Sequence, residues 1–368
     1  MNRKEDIMTD CQTLSAPICD WKFSGVAIPR GEKGTFDADV AGDPCIVWDP
    51  DIGRFRMIYF AQRQDEFGGE VNTNAQAVSI SEKQVGAGEW IKEGPLTYTN
   101  PEKVLSQQTH KPWILMDPFK ASTAARVGGK YCLFTVSYQA GRKCIQLAHS
   151  DTLSGPWTVQ SKPVLEIGLP ADFDGYHVDT VTAYWFEERG SILLFYKGYP
   201  AVAQADQTDS PFGSSLAAAE MKLGDTVARK LGKLISPSLG KNHWQSGWVS
   251  GLQLFAAKNG GWYGLQSGSP TPPVSPEEES DMREPAPSLG GWSFTPEAWP
   301  VSGWQAESKP IIEIEDLPQE AVSAGMQVNL WRHHMLLAPD GNAYLYCNSG
   351  GYGQERMFVR TARIHNDS

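Results

Sequence analysis

Short apolar runs alternate with turns rich in Gly, Asp and Pro along most of the chain, and one unit of that pattern recurs. An apolar run is followed by a turn and then by a second run of aromatic and β-branched residues. The second runs are "GRFRMIYFAQ" from Gly53, "GKYCLFTVSY" from Gly129, "GSILLFYKGY" from Gly190, "GWYGLQSGS" from Gly261 and "GNAYLYCNSG" from Gly341. Their partners are "CIVWD", "ASTAARV", "VTAYWFE", "GLQLFAA" and "LWRHHMLLA". Run, tight turn, run is the signature of a β-hairpin.

The copies lie about 60 to 80 residues apart, room for three or four strands each. Further short strands follow some of them, as in "QAVSISEKQVGAGEW" and "IQLAHSDTLSGPWT". Helical periodicity is almost absent. The pattern predicts an all-β, five-bladed β-propeller rather than a sandwich or two smaller β domains. It forms a single domain over 1–368, with blades near 43–105, 113–165, 177–240, 247–315 and 325–368. Inner strands are expected to begin near residues 44, 118, 180, 249 and 328, and "WKFSGVAIP" to close the ring against the last blade. The Pro- and charge-rich stretch from Ser267, "SGSPTPPVSPEEESDMREPAPSLGG", reads as a long loop within blade four.

Inner strands line a central channel, and their starting ends meet on one face. Asp43, in "AGDPCIVWDP", stands before the first of them, and Asp117, in "LMDPFKASTA", is read at the same place in blade two. Asp179, in "YHVDTVTAYWF", takes that place in blade three. Pro at the first position of a strand loses no ladder bond. A single Asp-Pro is more readily a turn cap, but three carboxylates in register argue for chemistry. Cleavage of a glycosidic bond uses one carboxylic acid on the leaving oxygen and one carboxylate on the opposite face of the sugar. Crowding of like charges raises at least one of the pKa values.

"GDPCIVWDPDIGRFRMIYF", "MDPFKASTAARVGGKYCLF" and "LAHSDTLSGPWT" resemble the five-bladed propeller glycosidases of glycoside hydrolase family 43 and its relatives, families 32, 62, 68, 117 and 130. The resemblance implies that Asp43 is the general base and that Asp117 tunes the acid. The family's acid is a Glu before Gly-Pro, where this chain has Asp179 followed by Thr180. The acid is therefore Asp179, or Glu320 or Glu355 in its stead, and the chain reads as a divergent member. The implied activity is inverting, exo-acting hydrolysis of a short oligosaccharide or glycoside, pentofuranoside- or xyloside-like. A glycoside phosphorylase is the alternative, against which the strand starts look poor in Arg and Lys. A non-catalytic carbohydrate-binding propeller is another.

Trp113, His177 and Trp248 immediately precede inner strands, and Gln327 stands at the start of blade five. Aromatic faces stack on sugar rings while His and Gln read hydroxyls. Thirteen tryptophans suit such a ligand, and a net charge of -11 argues against nucleic acid. The seven histidines show no ligand spacing, so no metal or cofactor is expected; the resemblance leaves room only for a calcium ion in the channel. Six cysteines without CxxC spacing form no disulfide framework, and four of them lie in apolar runs. No membrane-length apolar stretch occurs, and "MNRKEDIMTDCQTL" lacks the apolar core of a signal peptide. The expected location is the cytoplasm, or outside the cell if a signal has been removed. The oligomeric state is not legible.

Overall fold

The computed structural model describes residues 14, 18, 20–105, 108–237, 243–258, 261–277, 288–294, 305–306, 309–311, 331–350 and 353–364, with 288–294, 305–306 and 331 by backbone only. After β1 (Lys22–Ile28), blade one comprises β2 (Val40–Asp49), β3 (Arg54–Gln64), β4 (Glu70–Ser79) and β5 (Trp90–Pro95). Blade two comprises β6 (His110–Ile114), β7 (Arg126–Val127), β8 (Lys130–Gln139), β9 (Arg142–Ser150) and β10 (Thr158–Val159). Blade three follows with β11 (His177–Phe186), β12 (Ser191–Tyr199), β13 (Ser215–Lys222) and β14 (Arg229–Ile235). Blade four holds β15 (Trp248–Ala256), β16 (Trp262–Ser269), β17 (Ser288–Phe294) and β18 (Gln305–Ala306). Blade five holds β19 (Trp331–Leu337), β20 (Asn342–Ser349) and β21 (Arg356–Arg363).

These are five sheets, antiparallel throughout, and β1 pairs with β21 as the outermost strand of blade five. The first and last parts of the described chain are thus sewn into one sheet, as "WKFSGVAIP" predicts. The inner strands form a closed circuit: β2 packs on β6, β6 on β11, β11 on β15, β15 on β19, and β19 on β2. That circuit makes a five-bladed propeller. Inner strands are covered on both faces by neighbouring blades, so β11 and β15 are buried almost end to end. Between blades one and five, Ile46, Met57 and Tyr59 pack with Leu336, Tyr346 and Val359. Cys45, Cys132, Cys144 and Cys347 are buried free thiols.

The inner strands begin at Val40, His110, His177, Trp248 and Trp331. Four of the five agree with the sequence expectation to within a few residues. Blade two does not: its inner strand begins at His110 rather than near 118, and Asp117 lies beyond its end. The loop carrying Asp117 has a different task. Trp48 N donates to Ser122 O at 2.8 Å, Trp185 N donates to Met116 O at 2.9 Å, and Phe119 packs on Phe186 and Trp262. The loop therefore ties blade two to blades one, three and four. Trp48 stands five residues along β2 from Asp43, or about 17 Å at strand rise, so this is the opposite end of the channel.

Two loops leading into inner strands are fastened alike. In "GEKGTFD", Asp37 accepts from Tyr59 Oη at 3.2 Å and pairs with Lys92 Nζ at 2.5 Å. In "GLPADFD", Asp174 accepts from Tyr196 Oη at 2.9 Å and pairs with Lys230 Nζ at 2.6 Å. Each Asp is buried beneath its blade and fixes the approach to the next inner strand.

Candidate active site

Each inner strand carries a β-bulge near its start, where the register shifts: at Gly42/Cys45, His110/Trp113, Asp179/Thr182, Ser250/Leu252 and Trp331/His334. At every bulge one residue is left-handed: Asp43 (φ 50°), Lys111 (52°), Thr180 (45°), Gly251 (57°) and Arg332 (48°). Four of these are not glycine, and each such residue costs roughly 1–3 kcal/mol. A left-handed residue repeated on all five blades re-aims five residues at one point, as bulges beside functional sites do. All five line a single pocket that is open to solvent.

The same geometry explains the Asp-Pro pair. Pro44 follows the bulged Asp43, and Pro112 follows the bulged Lys111, where a missing N–H costs no ladder bond. The blade-two counterpart of Asp43 is thus Lys111, and the expectation that Asp117 joins the carboxylates is corrected. Asp117 caps a turn, accepting from Phe119 N at 2.9 Å, and it is part-exposed beside Lys120.

Asp43 is clamped from blade five. Asn348 Nδ2 donates to its Oδ1 at 2.6 Å, and its own N–H donates to Asn348 Oδ1 at 2.7 Å. The close approach needs Gly42, where a Cβ would stand 2.5 Å from Asn348 Nδ2. Burial pushes the Asp43 carboxyl up, against the opposing pull of Arg332 and Lys111. Arg332 Nε lies 3.7 Å from Asp43 Oδ1.

Asp179 is fully buried beside Thr180, and three cations converge on its Oδ2: Lys111 Nζ at 2.5 Å, Lys143 Nζ at 3.2 Å and Arg332 Nη2 at 3.9 Å. Thr180 N donates to its Oδ1 at 2.6 Å. Although burial alone would raise it, these cations hold the carboxyl well below its usual range. Asp179 is therefore an anion that gathers cations, the opposite of what a proton donor requires, and this overturns its expected role as the acid.

Glu355 has the properties Asp179 lacks. It precedes β21, and its backbone carbonyl accepts from Ala41 N in blade one at 3.3 Å. Its carboxyl is buried, and among the described residues its Oε2 has no hydrogen-bond partner. Burial, reinforced by the charge of Asp43, raises its pKa to about 7.

Of the proposed sugar contacts, Trp113 lines the pocket, with Nε1 donating to Ala183 O at 3.2 Å. His177 and Trp248 are packed behind the described lining. His177 Nδ1 accepts from Lys143 N at 3.1 Å, and burial together with Lys143 lowers its pKa to about 3. Trp248 is buried beneath Lys197 Nζ, 4.6 Å from its ring. Gln327 and Glu320 lie outside the described residues. Nothing in the sequence pattern marks Lys111, Arg332 or Asn348 as pocket groups. His333 lines the pocket and is neutral, its Nε2 bonding Leu265 O at 2.8 Å and its pKa lowered by burial to about 4. Among the described residues no three His, Cys, Asp or Glu side chains form a metal-binding group.

No protein-family model and no curated protein sequence matches the chain. Solved structures do match. A thermostable family-43 glycoside hydrolase superposes with a TM-score of 0.60 at 13% identity, covering 89% of this chain and 90% of its own. The endo-arabinase from Bacteroides thetaiotaomicron gives 0.58 at 13%, covering 94% and 99%. The catalytic domain of the Coprinopsis cinerea family-62 α-L-arabinofuranosidase gives 0.56 at 12%, covering 94% and 97%. A structure described with the family-130 mannoside phosphorylases and β-1,2-mannoside hydrolases gives 0.57 at 14%, covering 96% and 99%. At these identities the likeness concerns the fold, and the chain shares the propeller fold of the family 43, 62 and 130 glycosidases.

Proposed function

We propose that the protein is a glycoside hydrolase, exo-acting on a short oligosaccharide or glycoside. Asp43 serves as general base and Glu355 as general acid. Water attacks the anomeric carbon and gives its proton to Asp43. The glycosidic C–O bond breaks as Glu355 gives its proton to the leaving oxygen. This displacement inverts the anomeric centre.

The observation that carries the reading is a buried carboxyl in the pocket lining, Asp43, with a second buried carboxyl, Glu355 of the neighbouring blade, close enough to feel its charge. Asp43 is presented by a strained bulge and oriented by Asn348, while Glu355 is poised at about 7, where a group can hold a proton and still release it. Asp179 fixes the cations that Asp43 needs to stay ionised against its burial. Trp113 contributes to the lining, its ring packed against Tyr184 and His334. A pocket at one mouth of the channel, with a blade-two loop across the far end, suits one terminal sugar unit rather than a running polysaccharide.

The test is release of sugar from a panel of aryl glycosides by the wild type and by Asp43→Asn, with NMR of the first-formed anomer. The reading expects turnover, inversion, and a fall of 100-fold or more in the variant, within the ~10²–10⁴ attributable to a general base. Retention would make one carboxylate a nucleophile. Sugar binding without any turnover would leave a non-catalytic carbohydrate-binding propeller.

A further inference from the structure

Resting on the reading of this pocket as a glycoside site, we propose that the sugar unit it holds is a hexuronate whose carboxylate is received by Arg332 and Lys111. Two of the five residues that the bulges aim into the pocket are cations, and they come from blades two and five. Both side chains are about nine-tenths buried, at 10% and 9% exposure, so neither is a solvated surface charge. Three cations, Lys111, Lys143 and Arg332, stand around two carboxylates, Asp43 and Asp179, so the cluster carries a positive excess that an anionic sugar would meet and a neutral one would not.

The donors are organised before any ligand arrives. Asp179 sets Lys111 at 2.5 Å, and Arg332 Nη1 donates to Thr180 Oγ1 and to Ser250 Oγ at 3.3 Å. Arg332 spans the gap between Asp43 and Asp179, at 3.7 and 3.9 Å, beyond direct hydrogen-bond length to either. A planar guanidinium matches a carboxylate with two parallel donors, and a neighbouring ammonium adds a point charge. The hydroxyls of Thr180, Ser250 and Ser267 line the same wall, and Gly251 leaves that side of the pocket without a side chain.

The shared chemistry is recognition of an oxyanion, which a sugar carboxylate or free phosphate could supply. Charge favours the carboxylate. Asp43 stands 3.7 Å from Arg332, and close to Asp43 a monoanion is repelled less than phosphate, which near neutral pH carries more than one negative charge. An acidic hexose derivative thus takes the place of the neutral pentofuranoside or xyloside expected from resemblance.

The experiment has two readouts on the intact chain. Calorimetry compares glucuronate, galacturonate and mannuronate with the matching neutral hexoses, and kcat/KM compares nitrophenyl hexuronides with matched hexosides, each with and without inorganic phosphate. The proposal expects one hexuronate to bind at least tenfold more tightly than its neutral partner, and its nitrophenyl glycoside to be preferred at least 100-fold. Lys111→Gln should reduce that preference tenfold or more, and Lys111→Arg should restore most of it. Should Lys111→Gln not fold, the wild-type comparison decides alone. Hexuronate binding with no glycoside cleaved would sustain the carboxylate site and sink the hydrolase reading. Neutral hexosides cleaved as readily as hexuronides would overturn the carboxylate site and leave the hydrolase standing. Cleavage of neutral hexosides that depends on added phosphate would overturn it too, assigning the cations to phosphate.

Discussion

Glu355→Gln should make the protein more stable at pH 8 while removing its proton donor. The carboxyl is raised from 4.5 to about 7, chiefly by burial and then by Asp43. A carboxyl with a raised folded pKa binds its proton more tightly folded than unfolded. Its favourable contribution is complete below about pH 4.5 and is lost as pH rises through about 7. A shift of this size corresponds to about 3 kcal/mol at 1.36 kcal/mol per pH unit. Glutamine keeps the shape and carries no charge to bury. Relative to the wild type, the variant should therefore gain up to about 3 kcal/mol between pH 4.5 and pH 8, or about 4 °C in Tm for a chain this long. Thermal melts of both proteins at half-unit pH steps measure it. A difference in Tm that stays constant across that range would show that Glu355 is not buried as an acid, and the catalytic assignment would fall with it.

Asp179→Asn should be the most damaging site variant for stability, costing about 3–5 kcal/mol by leaving three cations around an uncharged amide; chemical denaturation measures it, and a loss below about 1 kcal/mol would contradict the cation-gathering role. Asp117→Ala should leave kcat/KM within twofold and cost about 1 kcal/mol for the lost turn bond, whereas a 100-fold loss of activity would return Asp117 to the site. Gly42→Ala should displace Asn348 from Asp43, since the new methyl would stand 2.5 Å from Nδ2; turnover should fall at least tenfold, and an unchanged rate would show that the clamp does not position Asp43.

Much of the fold was legible because hairpins are local. A turn and its two flanking runs lie within about twenty residues, and the five glycine-led copies mark all five blades. The closing role of "WKFSGVAIP" was legible from its position ahead of the first blade, although its pairing with β21 is long-range. Blade two misled because two X-Pro pairs stand close together near its start. "MDPF" echoes "GDPC" in composition, but Lys111-Pro112 is the pair at the bulge. The sequence does carry a corrective signal. "GEKGTFD" and "GLPADFD" share their spacing, and the left-handed residue follows the Asp by six positions in both, at Asp43 and Thr180. That repeat places the bulge at Thr180 rather than Asp179, which is why Asp179 lies buried behind the pocket lining. Asn348, Arg332 and Glu355 were hard to see as partners of Asp43 because blade five meets blade one only when the ring closes, some 300 residues apart in sequence.

The most direct test of the acid assignment is how the cost of losing Glu355 depends on the leaving group. A dinitrophenyl glycoside needs little protonation, whereas a natural disaccharide needs all of it. The account predicts that Glu355→Gln loses at least 100-fold in kcat on the disaccharide, stays within about tenfold of wild type on the dinitrophenyl substrate, and no longer loses activity as pH rises through about 7. Equal losses on both substrates, with the wild-type pH dependence intact, would show that the proton comes from another group.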